Sequence, residues 1–261
     1  MSGTVYLVGA GPGAPDLLTL RAARLLERAD IVFHDALVHP EIVALATRAA
    51  KVAVGKRCGK HSTAQNFINK RLVDAAAVHD VVVRLKGGDP MLFGRAQEEI
   101  DALEGAGIRY EVVPGVTAAL AACAELGISL TRRGSVRSVA LVTPRVAEGE
   151  EASDWATSVA AADCGAIYMG TGQAEAIASA LIAAGSAPTL PVAVVERASL
   201  PDARIVFTTL AALGKFESAA AAGPTLIFVG PQFRARAHAA ALLATDSSAA
   251  GARGGRQQVK G

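Results

Sequence analysis

Residues 5–20 read VYLVGAGPGAPDLLTL, an apolar run that leads directly into a glycine-rich turn and then into an apolar, helix-periodic segment. A strand, a tight turn and a helix in this order predict the start of a parallel α/β sheet, with the turn at the carboxyl end of the strand. Glycines in such a turn let the backbone approach a ligand closely. Pro12 stands between Gly11 and Gly13 and lacks an N–H group, so the turn is a poor cradle for a phosphate.

Further apolar runs predict nine more strands, at residues 31–35, 51–55, 81–85, 110–114, 138–143, 165–170, 191–196, 203–210 and 225–230. The runs are apolar throughout, which is typical of buried parallel strands, although the last ones are close enough in sequence to pair antiparallel. Helical spacing covers residues 63–79, 94–107 and 115–128, with Thr19 and Thr63 as candidate N-caps. The pattern predicts two α/β domains, residues 1–115 and 116–244, and a disordered tail at 245–261, rich in Gly, Ser and Ala.

The composition of the 261 residues limits the function classes. Apolar residues make up 51% and charged residues 19%, which is enough for a buried core and excludes general disorder. No apolar run approaches the ~20 residues of a membrane span, and the N-terminus lacks the basic region of a signal peptide, so we expect a cytoplasmic protein without membrane contact. A net charge of +2 gives no indication of nucleic acid binding.

The three cysteines, Cys58, Cys123 and Cys164, lie far apart in the sequence. They form no Cys-x-x-Cys pair and no His-rich cluster, so the sequence predicts thiols that are buried, no zinc site and no disulfide framework. No metal is expected.

Two further stretches carry candidate chemistry. In RLKGGDPMLFGR (84–95), Gly87 and Gly88 follow a strand and expose backbone, and Asp89 offers a carboxylate for ribose hydroxyls or an amino group. Turn formation alone is the alternative interpretation of this stretch. In VVPGVTAA (112–119), Thr117 and Ala118 follow a Pro-Gly turn and open a helix.

The order VGAGPG, DALV, VGKR, KGGDPMLFGR, VPGVTAA and YMG resembles the tetrapyrrole methyltransferase family, over residues 4 to about 232. Within it, the likeness is greatest to the enzymes that act on uroporphyrinogen III. The resemblance implies two α/β domains with a cleft between them and a homodimer. It also implies S-adenosylmethionine as methyl donor and S-adenosylhomocysteine as product.

The resemblance also implies site residues. It places S-adenosylmethionine contacts at Pro12, Gly87, Gly88, Asp89, Leu92, Thr117, Ala118, Met169 and Ala198. It makes Asp35 the proton acceptor and Lys56 the proton donor. Asp35 directly follows a predicted strand, as a residue of an α/β binding site would, although an aspartate that caps a turn would stand there too.

The implied reaction is the transfer of two methyl groups to uroporphyrinogen III to give precorrin-2, for cobalamin or sirohaem synthesis. The eight carboxylates of that substrate call for cations, and the predicted loops supply Arg57, Lys60, His61, Arg84, Lys86, Arg95, Arg132 and Arg133. Residues 131–133 read Thr-Arg-Arg where the family commonly has Thr-His-Arg, and 143–145 read Thr-Pro-Arg where it often has Thr-Gly-His.

Three alternatives stay open. A later precorrin methyltransferase would share the fold and the Gly-Gly-Asp-Pro loop. A nicotinamide-dependent oxidoreductase would need an acidic ribose ligand ~20 residues past the glycine turn, a test that Asp30 or Asp35 passes, but Pro12 and the missing third glycine count against it. A non-catalytic tetrapyrrole carrier would be expected to have degenerate methyl-donor loops, and these loops are intact.

Overall fold

The computed structural model describes residues 2–54, 61–146, 151, 153–217 and 223–239, with residues 61–64 given as backbone only. The described chain forms two compact units. The first runs to Ala122 and also takes in Ala198–Asp202, and the second takes in the other residues from Cys123 onward. The sequence-based boundary at 115/116 stays a prediction. Lys56 and the predicted tail, 245–261, lie outside the described residues.

The first unit contains a five-stranded sheet in the order β3-β2-β4-β1-β5, in which every neighbouring pair is parallel. Its strands are β1 (Thr4–Gly9), β2 (Ile31–His34), β3 (Ala50–Ala53), β4 (Val81–Lys86) and β5 (Arg109–Val113). Its helices are α1 (Leu20–Arg28), α2 (Pro40–Ala44), α3 (His61–Ala76) and α4 (Ala96–Gly105), and α5 (Ala118–Leu126) begins in this unit.

Helices cover both faces of this sheet, which explains why its strands are apolar throughout. On one face α1 and α2 pack against strand residues such as Val8, Val83 and Leu85. On the other face α3 and α4 pack against residues such as Leu7 and Phe33. The predicted α/β class is confirmed.

The two predicted N-caps have different outcomes. Thr19 caps α1, since its Oγ1 accepts a hydrogen bond from Ala22 N at 3.2 Å. The prediction for Thr63 is wrong, because α3 begins at His61 and Thr63 therefore lies inside its first turn.

The second unit contains a mixed sheet in the order β6-β7-β10-β8-β9. Its strands are β6 (Val139–Val142), β7 (Cys164–Ile167), β8 (Pro191–Glu196), β9 (Arg204–Thr209) and β10 (Thr225–Val229). Its helices are α6 (Trp155–Ala161), α7 (Ala174–Ala183) and α8 (Leu210–Leu213), and a 3-10 turn (Pro231–Phe233) leads into helical residues 234–239. Among the strands described in this sheet, only β6 and β7 pair in parallel. The antiparallel pairing predicted for the last strands is confirmed for β8 with β9 and with β10.

One face of the second sheet carries Val192, Val194 and Ile227, which pack with α6, α7 and α8 in a single apolar cluster. On β10, Phe228 lies 5.9 Å, between ring centroids, from Phe233 of the 3-10 turn. No helix among the described residues has the length and apolar character that crossing a membrane requires.

Candidate active site

The parallel sheet of the first unit brings the carboxyl ends of its strands to one edge. The described loops at this edge follow β1 (residues 10–19), β2 (35–39), β4 (87–95) and β5 (114–117). In open α/β sheets ligands bind outside this edge. Eight of the eleven predicted site residues lie in these loops or directly after them: Asp35, Pro12, Gly87, Gly88, Asp89, Leu92, Thr117 and Ala118.

Backbone hydrogen bonds join the loops after β1 and β4. Gly11 N donates to Gly88 O at 3.1 Å, and Gly88 N donates to Gly11 O at 2.7 Å, which makes an isolated antiparallel bridge. Both glycines have positive φ, +72° and +67°, a conformation that side chains with a Cβ rarely adopt. The bridge fixes the Gly-Pro-Gly turn against the Gly-Gly-Asp turn.

The loop after β5 packs just as closely on the other two. A Cβ on Gly9 would lie 2.6 Å from Gly115 Cα and 2.8 Å from Gly88 O, and a Cβ on Gly115 would collide with the Gly88 carbonyl oxygen. Gly9, Gly88 and Gly115 therefore meet backbone to backbone. At positions 9 and 115, only residues without a side chain allow this packing.

Asp89 holds these loops together. Its Oδ2 accepts a hydrogen bond from Gly115 N at 2.9 Å, and its Oδ1 accepts one from Met91 N at 2.8 Å. The sequence suggested this carboxylate only as a ligand group or a turn former. The long-range bond to Gly115 had no signal in the sequence, since it joins residues 26 positions apart.

The surface in front of Gly87 and Gly88 is open enough for a ligand to approach the backbone. A Cβ on Gly87 would meet only Leu37 Cβ, at 3.7 Å, and one on Gly88 only Thr117 Cα, at 4.0 Å. Thr117 O accepts the hydrogen bonds from Leu120 N and Ala121 N that start α5, so Thr117 directly precedes the helix and Ala118 is its first residue. A glycine-lined surface beside a helix start fits a small polar co-substrate such as S-adenosylmethionine.

A chain segment distant in sequence completes this part of the unit. Ser199 Oγ accepts a hydrogen bond from Ala14 N at 3.0 Å, and a Cβ on Gly13 would lie 2.9 Å from Leu200 Cδ2. The structure thus brings Ala198, which is buried, to the Gly-Pro-Gly turn that contains Pro12.

Met169 belongs to the second unit, where it follows β7 and is half-buried. Its φ is +58°, a left-handed conformation that costs a non-glycine residue roughly 1–3 kcal/mol. Positive φ also occurs at Phe93, which follows Leu92, and at Arg197 and Ser199, which flank Ala198. Strained backbone of this kind is concentrated at functional sites. Of the five described non-glycine residues with positive φ, four lie at or next to predicted cofactor contacts, and the fifth is Arg95.

Asp35 lies at the carboxyl end of β2 and its side chain is 32% exposed. Its backbone N donates to Leu85 O at 3.2 Å, and its Oδ1 accepts a hydrogen bond from Arg84 Nη2 at 2.5 Å. Both links tie Asp35 to β4, the neighbouring strand in the sheet.

Arg84 belongs to a buried group of charges that the sequence analysis missed. Its Nε donates to Glu99 Oε1 at 2.8 Å, and Lys86 Nζ lies 3.0 Å from both Glu99 oxygens. Gln65 Nε2 donates to the same Oε1 at 3.3 Å, and Glu99 is fully buried. Spacing could have indicated the group, since Arg84 and Lys86 are two apart on a buried strand and therefore share a face.

Burial and the neighbouring charges shift the pKa values of both cations in this group. Burial lowers the pKa of the Arg84 guanidinium, but the adjacent Asp35 and Glu99 carboxylates outweigh burial and raise it above the ordinary value. The pKa of Lys86 is lowered, first by burial and then by repulsion from Arg84, against the attraction of Glu99.

These contacts correct part of the predicted cation set. Arg84 and Lys86 are 2% exposed and paired within the protein, so they are not surface ligands for substrate carboxylates. Arg95 is exposed and pairs with Glu98 at 2.6 Å. In the second unit, Arg132 lines an open groove of about 590 Å3 together with Arg234 and His238.

The structure excludes one of the two candidate ribose ligands of the nicotinamide hypothesis. Asp30 precedes β2 and its Oδ2 accepts hydrogen bonds from Asp80 N at 3.0 Å and Val81 N at 2.8 Å. Asp30 therefore lies at the amino ends of β2 and β4, away from the edge where a dinucleotide would bind.

Comparisons with known proteins point to one family. The family model for Tetrapyrrole (Corrin/Porphyrin) Methylases matches residues 4–214. The chain is 46% identical over 230 residues to a siroheme synthase of Psychrobacter sp. (strain PRwf-1), which covers 87% of this chain and 47% of that protein. The chain thus spans about half the length of the curated relatives that it matches.

Solved structures of methyltransferases that act on tetrapyrroles are also similar to this chain. The uroporphyrin-III C-methyl transferase from Thermus thermophilus, complexed with S-adenyl homocysteine, superposes with a TM-score of 0.78 at 42% identity and covers 89% of this chain and 100% of its own. A cobalt precorrin-4 methyltransferase superposes with a TM-score of 0.74 at 29% identity, over 87% of this chain and 94% of its own.

Proposed function

The chain belongs to the tetrapyrrole (corrin/porphyrin) methylase family, and from this premise we propose that it is an S-adenosylmethionine-dependent C-methyltransferase that methylates uroporphyrinogen III twice to give precorrin-2. The proposed product supplies sirohaem or cobalamin synthesis. The observation that carries the proposal is the glycine-lined edge formed by Gly11, Gly88 and Gly115 in a fold whose Thermus relative is complexed with the demethylated co-substrate.

The co-substrate supplies an electrophilic methyl group on a sulfonium, and a pyrrole carbon of the reduced tetrapyrrole attacks it without a covalent enzyme intermediate. The protein's main contribution is then orientation, which is worth up to roughly 7–11 kcal/mol for well-placed reactants. The Gly11–Gly88 bridge and the Asp89–Gly115 bond support this role, because they fix three loops relative to one another.

Asp35 is the proposed proton acceptor in the loss of a pyrrolic proton. Its partial exposure lets a ligand reach the carboxylate, and Arg84 contacts Oδ1, so that Oδ2 faces no donor among the described residues. A positioned general base contributes typically ~10²–10⁴-fold. Lys56, the proposed proton donor, follows β3 in the sequence and lies outside the described residues.

Exposed apolar side chains in these loops suit the apolar faces of the substrate's pyrrole rings. Leu37 after β2, and Met91 and Phe93 after β4, are 70%, 57% and 37% exposed. Large apolar residues at the rim of a polar loop set are typical of ligand-binding surfaces. Cations other than Arg84 and Lys86 must therefore bind the carboxylates of the substrate.

Anaerobic incubation of the purified chain with uroporphyrinogen III and methyl-labelled S-adenosylmethionine tests the proposal, with products analysed by mass spectrometry. We expect two labelled methyl groups on the tetrapyrrole, and loss of most transfer in Asp35→Asn. Folded protein that binds S-adenosylhomocysteine but transfers no methyl group would refute the first-step assignment.

A later precorrin methyltransferase is the second candidate, favoured by the cobalt precorrin-4 methyltransferase match and by the Arg132 and Pro144–Arg145 departures. The same assay with methylated corrin intermediates separates the two, because only the first-step enzyme accepts the unmethylated macrocycle. A homodimer stays a prediction.

A further inference from the structure

We propose that Glu99 is a positioning residue, which fixes the guanidinium of Arg84 and through it the carboxylate of Asp35. The inference rests on the proposed function for the role of Asp35. Glu99 lies in the first turn of α4, and no motif of the sequence analysis contains it.

The geometry is that of a relay in which Arg84 connects the buried Glu99 to Asp35. Glu99 accepts from Arg84 Nε, and Arg84 Nη2 donates to Asp35 Oδ1, so the two carboxylates occupy different nitrogens of one planar fork. A planar guanidinium that is held at Nε cannot rotate about its Nε–Cζ bond without losing the second contact. The position of Asp35 Oδ1 is therefore set from the buried end.

Burial makes this arrangement stiff. Glu99 is 0% exposed and Arg84 is 2% exposed, whereas Asp35 is the only member of the relay that solvent reaches. Two further donors, Lys86 Nζ and Gln65 Nε2, hold the Glu99 carboxylate in place. A buried carboxylate with donors on both oxygens keeps one orientation, because any rotation leaves a charged donor unpaired.

The Lys86 side chain supplies a matched control. Lys86→Met and Glu99→Gln each remove one buried charge of the same group, and both break the Lys86–Glu99 pair. Only Glu99→Gln removes the charge that holds Arg84. A general loss of stability would affect both variants. Loss of positioning would be marked only in Glu99→Gln, because in Lys86→Met the bonds from Arg84 Nε and Gln65 Nε2 to Glu99 Oε1 remain.

The first test needs no substrate. In ¹⁵N-resolved NMR spectra, we expect separate, slowly exchanging Arg84 Hη signals in the wild-type chain and in Lys86→Met, since both carboxylates hold the fork. We expect these signals to average or disappear in Glu99→Gln and in Asp35→Asn. Unchanged Arg84 signals in Glu99→Gln would overturn the proposal.

The second test is a double-mutant cycle on methyl transfer. We expect Glu99→Gln to lower kcat on the order of 10- to 100-fold, as a misplaced reacting group does, with little change in KM for S-adenosylmethionine. In the Asp35→Asn background the same substitution should have no further effect on kcat. Additive losses would mean that Glu99 does not act through Asp35.

If the wild-type chain methylates no tetrapyrrole, the proposed function fails, and the NMR signals still decide whether Glu99 fixes the Arg84–Asp35 pair. The two failures are thereby distinguishable.

Discussion

Glu98 and Glu99 are adjacent residues of α4 with the same side chain and opposite environments. Glu98 is exposed and pairs with Arg95, whose side chain is also about half exposed. Glu99 is fully buried between two cations. Solvent and salt weaken the first pair, whereas the second pair has replaced its hydration entirely with protein contacts.

We therefore expect the two alanine substitutions to differ sharply. Glu99→Ala leaves Arg84 and Lys86 buried without their shared anion and should cost about 3–5 kcal/mol of unfolding free energy. Glu98→Ala should cost no more than about 1 kcal/mol. Urea unfolding followed by circular dichroism gives both values, and equal losses would contradict the importance assigned to burial.

The thiols give a second prediction at this scale. Burial raises the pKa of Cys123 to about 12 and that of Cys164 to about 11, so neither is a thiolate at neutral pH. In a Cys58→Ser variant, we expect slow reaction with a thiol reagent such as DTNB at pH 8 and rapid reaction of both thiols in guanidinium chloride. Rapid labelling of the folded variant would show that one of them is accessible.

How far the sequence predicts individual residues depends on the range of their contacts. Thr19 was predictable as a cap because its partner is three residues away. Arg84 and Lys86 were misjudged as surface cations, since the partner that neutralises them, Glu99, comes from a later helix. The α/β class and the glycine turns follow from local pattern, but the buried charges follow only from the packing of α4 on β4.

At the scale of elements, three loops meet through glycine. Gly115→Ala should push the loop after β5 away from Gly88 and Gly9, because the added Cβ meets backbone that cannot move aside. We expect the affinity for S-adenosylhomocysteine, measured by calorimetry, to fall at least about tenfold, which corresponds to roughly 1.4 kcal/mol.

Gly105→Ala is the matched control for this substitution. Gly105 is the last residue of α4, and a Cβ there would meet nothing within 4 Å. The control should bind as the wild type does. Equal affinity in Gly115→Ala would mean that ligand binding does not depend on the contact between these loops.

Aspartates tie strand entries together in both units. Asp30 accepts from Asp80 N and Val81 N, and Asp163 accepts from Arg137 N at 2.8 Å, Ser138 N at 2.9 Å and Ser138 Oγ at 2.9 Å. These bonds, the one from Arg137 N first, lower the pKa of Asp163. Since the pKa is lower in the folded state, the stabilisation is present above the ordinary value of 3.8 and is lost as pH falls through the lowered one.

The corresponding prediction concerns acid unfolding. The difference in unfolding free energy between the wild type and Asp163→Asn should be constant from pH 7 to about pH 4 and shrink below it. Ser138→Ala removes one of the donors to Asp163. In that background, the decrease of this free-energy difference should be complete at a higher pH. A difference that is independent of pH down to pH 2 would contradict the assignment.

At the scale of the whole molecule, the sequence predicts ten strands in two sets, and the described part of the chain forms ten strands in two sheets. The strand order was not predictable, because it depends on which strands meet after the chain has folded. The family motifs in the sequence allowed the cofactor contacts to be predicted. Where those residues lie in the structure is determined by the topology of the sheet. Lys56 and the family-implied cleft stay predictions.

A ligand that binds only the folded chain stabilises all of it. S-adenosylhomocysteine at 100 times its Kd should add about 2.7 kcal/mol, which raises Tm by roughly 5–10 °C for a chain of this size. NAD⁺ at the same concentration should leave Tm unchanged. A shift with NAD⁺ and none with S-adenosylhomocysteine would favour the oxidoreductase instead.

Strand β10, Thr225–Val229, lies in the middle of the second sheet, between β7 and β8, although it is the last of the described strands in sequence. On the ribosome, β7 and β8 are therefore made long before the strand that joins them. Until residue 229 has emerged, each of them presents an unpaired edge, and such edges promote aggregation of nascent chains. The exposed edges of β7 and β8 can thus be paired only after β10 has been translated. A chaperone that shields those edges until then would raise the yield of folded protein.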